Sequence, residues 1–452
     1  MANETRFTRE AARELSEAKG EPAWLLDRRL ESWDAFERLP MPDRQDEEWR
    51  RTDIRGLRLE DLAVNQVPRT TVPASPLGLE GGTYGGRVVQ SNGAVIETEL
   101  AAHLREQGVI LCGLDEAVRE HPELVRDRLM TEAIRPESGK FPALNGAFWS
   151  GGIFVYVPSG VECAIPLRSL YSLDGTGSAV FPHTVVVLES RAQLTYIEEY
   201  ASGNRVQSSE FKVQGDDSRG LNGRTSLSAG AVEIFAGQDA RLTLVTLQEY
   251  GKDVVDINTQ RALLGRDSVV DWLVIGLGSG LTKSNIDVSM QGQGARTQML
   301  GILWGHGHSH TNYQTVQDHR APNCTSDLLY KGALTDEAVS IFSGKIRVEK
   351  GAQRTDAYQA NRTVILSDKA SAFPSPNLEI EANDVRCTHG ASVGKVDAEQ
   401  LFYLMSRGLP LDLATKMIVE GFLEEVLERE PGAAIRENLR DLIRRKIEER
   451  TG

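Results

Sequence analysis

ARLTLVTL at 240–247, SVVDWLVI at 268–275 and ARTQMLGI at 295–302 decide the fold. Each opens with a small residue just past a turn and continues into side chains that favour a pleated strand. The opening residues Ala240, Ser268 and Ala295 are 28 and 27 residues apart. Ala192, Ala338, Ala352 and Ala370 begin similar runs at less regular steps. Near-regular rungs with small residues at their corners fit a β-helix or stacked solenoid, where each coil rests on the one before. A β-sandwich is the alternative, but sandwich domains run to about 100 residues. Strand texture here extends from about 150 to 395, with further β-branched runs at 153–157, 184–188, 194–197, 339–342 and 364–366.

On either side the periodicity changes. Upstream, AWLLDRRLESWDAFERL spaces Leu25, Leu26, Leu30, Trp33 and Phe36 for one helical face. Residues 66–92, rich in Pro, Gly and Thr, read as a connector, and 103–129 as helix after a short apolar run. Downstream, AEQLFYLMSRG stops at Gly408 with Pro410 just beyond, a conventional helix end. The next helix lines up Ala414, Met417, Ile418, Gly421, Phe422 and Val426 on one stripe, and a highly charged helix closes the chain. Such a stripe serves either as core or as a docking face. The expected organisation is a mostly β fold: a helical region with connector at 1–140, a β-helix core at 141–396 and a helical segment at 397–452.

The chain has 452 residues, 40% hydrophobic and 26% charged, with a formal net charge of −14. An acidic surface repels phosphate backbones and anionic lipid, so neither nucleic acid nor membrane is an expected partner. No apolar run approaches the roughly 20 residues that cross a bilayer. The opening MANETRFTREAARELSEAKG lacks the apolar stretch of a secretory signal, so cytoplasmic residence is expected. Cys112, Cys163, Cys324 and Cys387 form no CxxC pair, which excludes a zinc ribbon or thioredoxin-type motif. No phosphate loop, GxSxG elbow, HExxH or dinucleotide fingerprint appears, so the chain is expected not to be an enzyme.

Two clusters remain. In Trp304-Gly-His-Gly-His-Ser-His310, His306, His308 and His310 would share one face if the segment were a strand; they are either a transition-metal site or a polar strand near a turn. In Arg386-Cys387-Thr388-His389, Cys387 and His389 point the same way on an extended backbone. They are either a soft sulfur–nitrogen ligand pair, incomplete by itself, or a buried cysteine beside a turn histidine.

The run RAPNCTSDLLYKGAL (320–334) and its continuation SGKIRVEKGAQRTDAYQANR (343–362) resemble the SufB/SufD family of iron–sulfur assembly proteins. So do LSDKA (366–370), CTHGA (387–391), DAEQLFYLMSRG (397–408) and, upstream, EEWR (47–50), LNGAF (144–148) and VYVP (155–158). The likeness covers nearly the whole chain and is densest from 320 to 425. It is nearer the D member than the B member, which has a Glu-His-Glu triplet where Thr388, His389 and Gly390 stand here, and a cluster-building cysteine at the position of Asn361. The resemblance implies a right-handed parallel β-helix core with helical flanks. It also implies a transient iron–sulfur cluster shared with a SufB-like paralog that supplies the thiolate, with His389 contributed from across the interface. Cys387 is then an accessory ligand or structural. C-terminal helices similar to these grip a SufC-like ABC-type ATPase, which makes Met417, Ile418 and Phe422 docking residues; a homodimer of the isolated chain stays open. The competing readings are a self-sufficient B-type scaffold, a β-helix polysaccharide lyase or hydrolase, and a metal protein built on His306, His308 and His310.

Overall fold

The computed structural model describes residues 7–64, 74–78, 84–202, 225–429 and 433–451. The connector expected at 66–92 lies partly outside them. From residue 153 the chain winds as a parallel β-solenoid of about eight coils. Each coil contributes one strand to each of two sheets. The first sheet holds β1 (Ile153–Val157), β3 (His183–Leu188), β5 (Ser226–Ala236), β7 (Val254–Leu264), β9 (Leu281–Met290), β11 (His310–His319), β13 (Val339–Val348) and β15 (Ser371–Ile380). The second holds β2 (Glu162–Leu173), β4 (Gln193–Ser202), β6 (Arg241–Glu249), β8 (Val269–Gly276), β10 (Arg296–Gly305), β12 (Thr325–Leu334), β14 (Thr355–Ile365) and β16 (Val385–Lys395). Neighbouring coils pair in parallel, in unbroken register past the third.

The corners explain the repeat. Arg191, Asp239, Asp267, Asn323 and Arg354 have φ between 53° and 62°, and Gly294 has φ 76°. Each turns the chain into a strand of the second sheet. Ala192, Ala240, Ser268, Ala295 and Cys324 follow the first five corners, all fully buried, and register stacks them in one file. The buried file leaves room for little more than a methyl, hydroxyl or thiol group. Ala338 and Ala370 lie at the opposite corner, before β13 and β15, and Ala352 lies within the turn before β14. The seven small residues are therefore not one file, which is why only some steps are regular.

Strands covered on both faces read as continuous apolar runs. In β8, Trp272 and Val274 join the interior with Tyr196, Leu244, Met299 and Tyr330, while Leu273 and Ile275 point outward beneath helices. The outer face of the first sheet packs through Phe154, Val185 and Ala231 against Trp33 of α2 (Ala23–Arg38) and Phe148 of α3 (Lys140–Phe148), with α1 (Arg9–Lys19) behind them. The outer face of the second sheet receives α5 (Leu411–Glu428) and α6 (Ala433–Thr451), preceded by α4 (Ala398–Ser406).

One sequence expectation needs correction. Residues 86–91, within the expected connector, and 94–100 just past it form an antiparallel hairpin that pairs with β2, and Ile110–Gly113 pairs antiparallel with β1. The signal was Asn92-Gly93, with φ 48° and 83°, the residue pair that a two-residue hairpin turn demands. The hairpin closes the first end of the solenoid. Among the described residues the other end has no such cover.

Candidate functional site

The last coil, β15 and β16, is the uncovered end. Each strand has a single neighbour, β13 and β14 respectively, and leaves its outer backbone edge unpaired among the described residues. Inward-facing positions of β13 are buried: Phe342, Ile346 and Val348. Register places Pro374, Leu378 and Ile380 on the same row of β15, yet Leu378 and Ile380 are 37% and 39% exposed. On β14, Ala357, Gln359 and Asn361 are buried; on β16 the row continues as Cys387, His389, Ala391 and Val393, with Val393 43% exposed. An apolar inner row that meets solvent is a core face without its cover.

His389 sits on this row, exposed, directly opposite Gln359 and one inward step from Asn361. Gln359 is held by its own amide, which donates to the Gly344 carbonyl at 3.1 Å. Cys387 lies opposite Ala357 and is half-buried against Ala357, Ala382 and Val348. Burial, and then the neighbouring Asp356 carboxylate, push its thiol above the usual range, so the free chain carries a protonated sulfur there. The other three cysteines are buried; burial raises Cys112 to about 12 and Cys163 to about 11 and also raises Cys324. Cys387 is thus the most accessible thiol, and it shares a face with His389 as the two-residue spacing requires. Among the described residues no three His, Cys, Asp or Glu side chains converge on one point suited to a metal. The pair is an incomplete ligand set that opens outward.

The other histidine cluster does not assemble. Residues 306–309 form a solenoid corner rather than a strand, turned by Gly307 at φ 59°. His308 points into solvent, 3.5 Å from Glu337. His310, the first residue of β11, lies 3.2 Å from Thr52 Oγ1, and burial lowers its pKa to about 4. His306 is half-buried. The strand geometry that would align the three is absent.

On the C-terminal helices Met417 is 46% exposed, Ile418 is half-buried, and Phe422 is packed against the solenoid with the Lys331 ammonium 4.4 Å over its ring. Sequence reasoning missed the stronger apolar surface. No residue of α4 is buried, and Phe402, Tyr403 and Met405 on it are exposed, Phe402 by 75%; Leu411 and Leu413 at the head of α5 continue the patch. The signal lay in Leu401-Phe-Tyr-Leu-Met405, since five consecutive apolar residues cannot all fit one helical face.

Known proteins resemble this chain along nearly its whole length. The model for the SUF system FeS cluster assembly SufBD core domain matches residues 171–422, and that for the SufBD protein N-terminal region matches 81–168. The iron–sulfur cluster assembly protein SufD of Bacillus subtilis is 29% identical over 442 residues, 97% of each chain. SufB of the same organism is 27% identical over 445 residues, covering 95% of this chain and 90% of the relative. A SufBD family protein of Staphylococcus saprophyticus matches at the same identity and coverage. With a core-domain match across more than half its length, this chain belongs to the SufB/SufD family of iron–sulfur cluster assembly proteins.

Proposed function

We propose that this chain is a non-catalytic scaffold subunit of a cytoplasmic Suf-type complex, and that His389 completes the ligand set of a nascent iron–sulfur cluster at the seam with a SufB-like paralog. One observation carries the reading: His389 stands exposed on the inner row of an uncovered solenoid end. Exposed strand edges and an apolar row invite a second solenoid to continue the sheets and bury that row. Such docking puts the imidazole beside whatever the second chain presents. Asn361 offers a carboxamide, which cannot supply the soft anionic sulfur that iron prefers, so the thiolate comes from the paralog. Cys387, half-buried and protonated in the free chain, serves as an accessory ligand or as packing.

The segment 397–452 is the docking site for a SufC-like ABC-type ATPase. Met417 and Ile418 belong to this surface with Phe402, Tyr403, Met405, Leu411 and Leu413, while Phe422 anchors the helix from beneath. Nucleotide-driven association of the ATPase subunits pulls on the helices and opens the seam to iron and sulfide, a shift between two arrangements of one interface. The test is His389→Ala in the purified complex: cluster yield on anaerobic reconstitution falls while the complex stays assembled. An unchanged yield removes the ligand role.

A further inference from the structure

Helix α5 is attached to the solenoid unevenly. From Val419 onward it lies on the second sheet, with Val419, Leu423 and Val426 buried. There Glu425 gathers cations from three elements. Lys331 Nζ of β12 is 2.5 Å from its carboxylate, Arg362 of β14 is 2.9 Å away, and Arg429, just past the end of α5, is 3.5 Å away and also reaches Asp327 of β12 at 3.1 Å. Lys331, with a side chain only 4% exposed, also donates to the Phe422 carbonyl at 2.6 Å. The residues before Val419 and all of α4 instead carry the exposed apolar patch, with only Ala414 buried among them. The head of the helix is tied to α6, through Lys416 and Glu448, and its other end is clamped to the strands.

The strand side of the clamp leads to the open coil. Lys331 and Arg362 are register partners on β12 and β14, so their like charges stand side by side and are tolerable only with a shared anion. Arg362 follows Asn361 in sequence and pairs in register with Ser392 of β16, the strand that carries His389. Apolar contacts between a helix and a sheet are non-directional and permit sliding. A carboxylate held by two strands fixes position, and its loss leaves a poorly solvated lysine beside a second cation.

We propose that Glu425, gripping Lys331 and Arg362, is the positioning contact through which movement of α4 and α5 reaches β14, β16 and His389. This rests on the scaffold reading, in which the ATPase holds the exposed apolar end of the helix. Fixed at Glu425, the helix back to Leu411 is a rigid lever of about 21 Å at 1.5 Å per residue. Without that contact β14 loses its ionic tie to the helix, only β12 keeps one through Arg429 and Asp327, and movement of the head reaches β14 and β16 more weakly.

Cys387 is a native reporter, because it lies on the seam row and the other cysteines are buried. In the assembled complex its alkylation rate is read by peptide mass spectrometry, with and without a slowly hydrolysed ATP analogue. The parent shows a faster rate with nucleotide. In Glu425→Gln and in Arg362→Gln that rise shrinks about fivefold or more, the low end of ordinary coupling between sites, while ATPase stoichiometry and the nucleotide-free rate are unchanged. Should Glu425→Gln detach the helix, Arg362→Gln, on a strand, carries the test alone. A full rise with Arg362→Gln overturns the clamp and leaves the scaffold reading intact. Absence of any rise in the parent overturns both.

Discussion

Replacing Asp256 by Asn should flatten the pH dependence of stability and make the chain at least as stable as the parent above neutrality. Asp256 points into the solenoid from β7, with its carboxylate taking a 2.9 Å bond from Asn258 Nδ2. Burial raises its pKa to about 7, against the opposing hydrogen bonds from Ser228, Asn258 and Gln248. The ordinary value, 3.8, applies when the chain unfolds. The native state therefore holds this proton more tightly. The resulting stability is full below about pH 4 and is lost as pH rises through about 7. The gap is about three pH units at roughly 1.4 kcal/mol each, or about 4 kcal/mol in all; about 3 kcal/mol of it falls between pH 5 and 8. Glu198, also fully buried and raised to about 7, adds a slope of the same sign, but it is present in both proteins and cancels in their difference. The new amide finds acceptors, because Gln248 Oε1 and Gln260 Oε1 border the same small cavity and lack a donor. Urea midpoints and slopes at pH 5 and pH 8 measure the effect. Free energies of parent and Asp256→Asn that move in parallel between those pH values would refute the reasoning.

Gly301→Ala should lower the urea midpoint, because a Cβ there would lie 2.4 Å from Tyr330 Cδ1 and 2.6 Å from two further ring atoms. The ring is fully buried, so overpacking of about 1–3 kcal/mol or more is expected, read by equilibrium unfolding. Phe402→Asp with Tyr403→Asp should abolish co-purification of the ATPase while leaving the melting temperature nearly unchanged, since both rings are exposed and exposed substitutions usually cost within about 0.5 kcal/mol; retained ATPase would remove α4 from the docking surface.

The solenoid was legible in sequence because its rungs sample one corner repeatedly. Ala240, Ser268 and Ala295 follow residues that adopt positive φ, and the chain can tolerate little else behind them. The hairpin at 86–100 is hidden in sequence, although Asn92-Gly93 marks its turn, because Pro- and Gly-rich stretches precede it. His306, His308 and His310 were spaced for a strand, but Gly307 in the left-handed region breaks the alternation that would align them. Cys387 and His389 were spaced correctly, and β16 is a strand. What spacing cannot carry is that β16 is the last strand, with no further strand beyond it among the described residues.

That missing piece has a physical source. A sequence pattern records which side chains avoid water and is silent on what shields them. Leu378, Ile380 and Val393 read as core because, by composition, they are core; so do Phe402, Tyr403 and Met405. In the folded chain both groups stay exposed while equivalent positions one coil earlier, Ile346 and Val348, are sealed. A solenoid built to stand alone ends in a polar cap or a covering element, as the hairpin at 86–100 provides at its first coil. Leaving the last coil apolar, with an exposed imidazole among those side chains, makes sense for a surface whose cover is another chain. The exposed apolar face of α4, on a separate element, calls for a second cover in the same way.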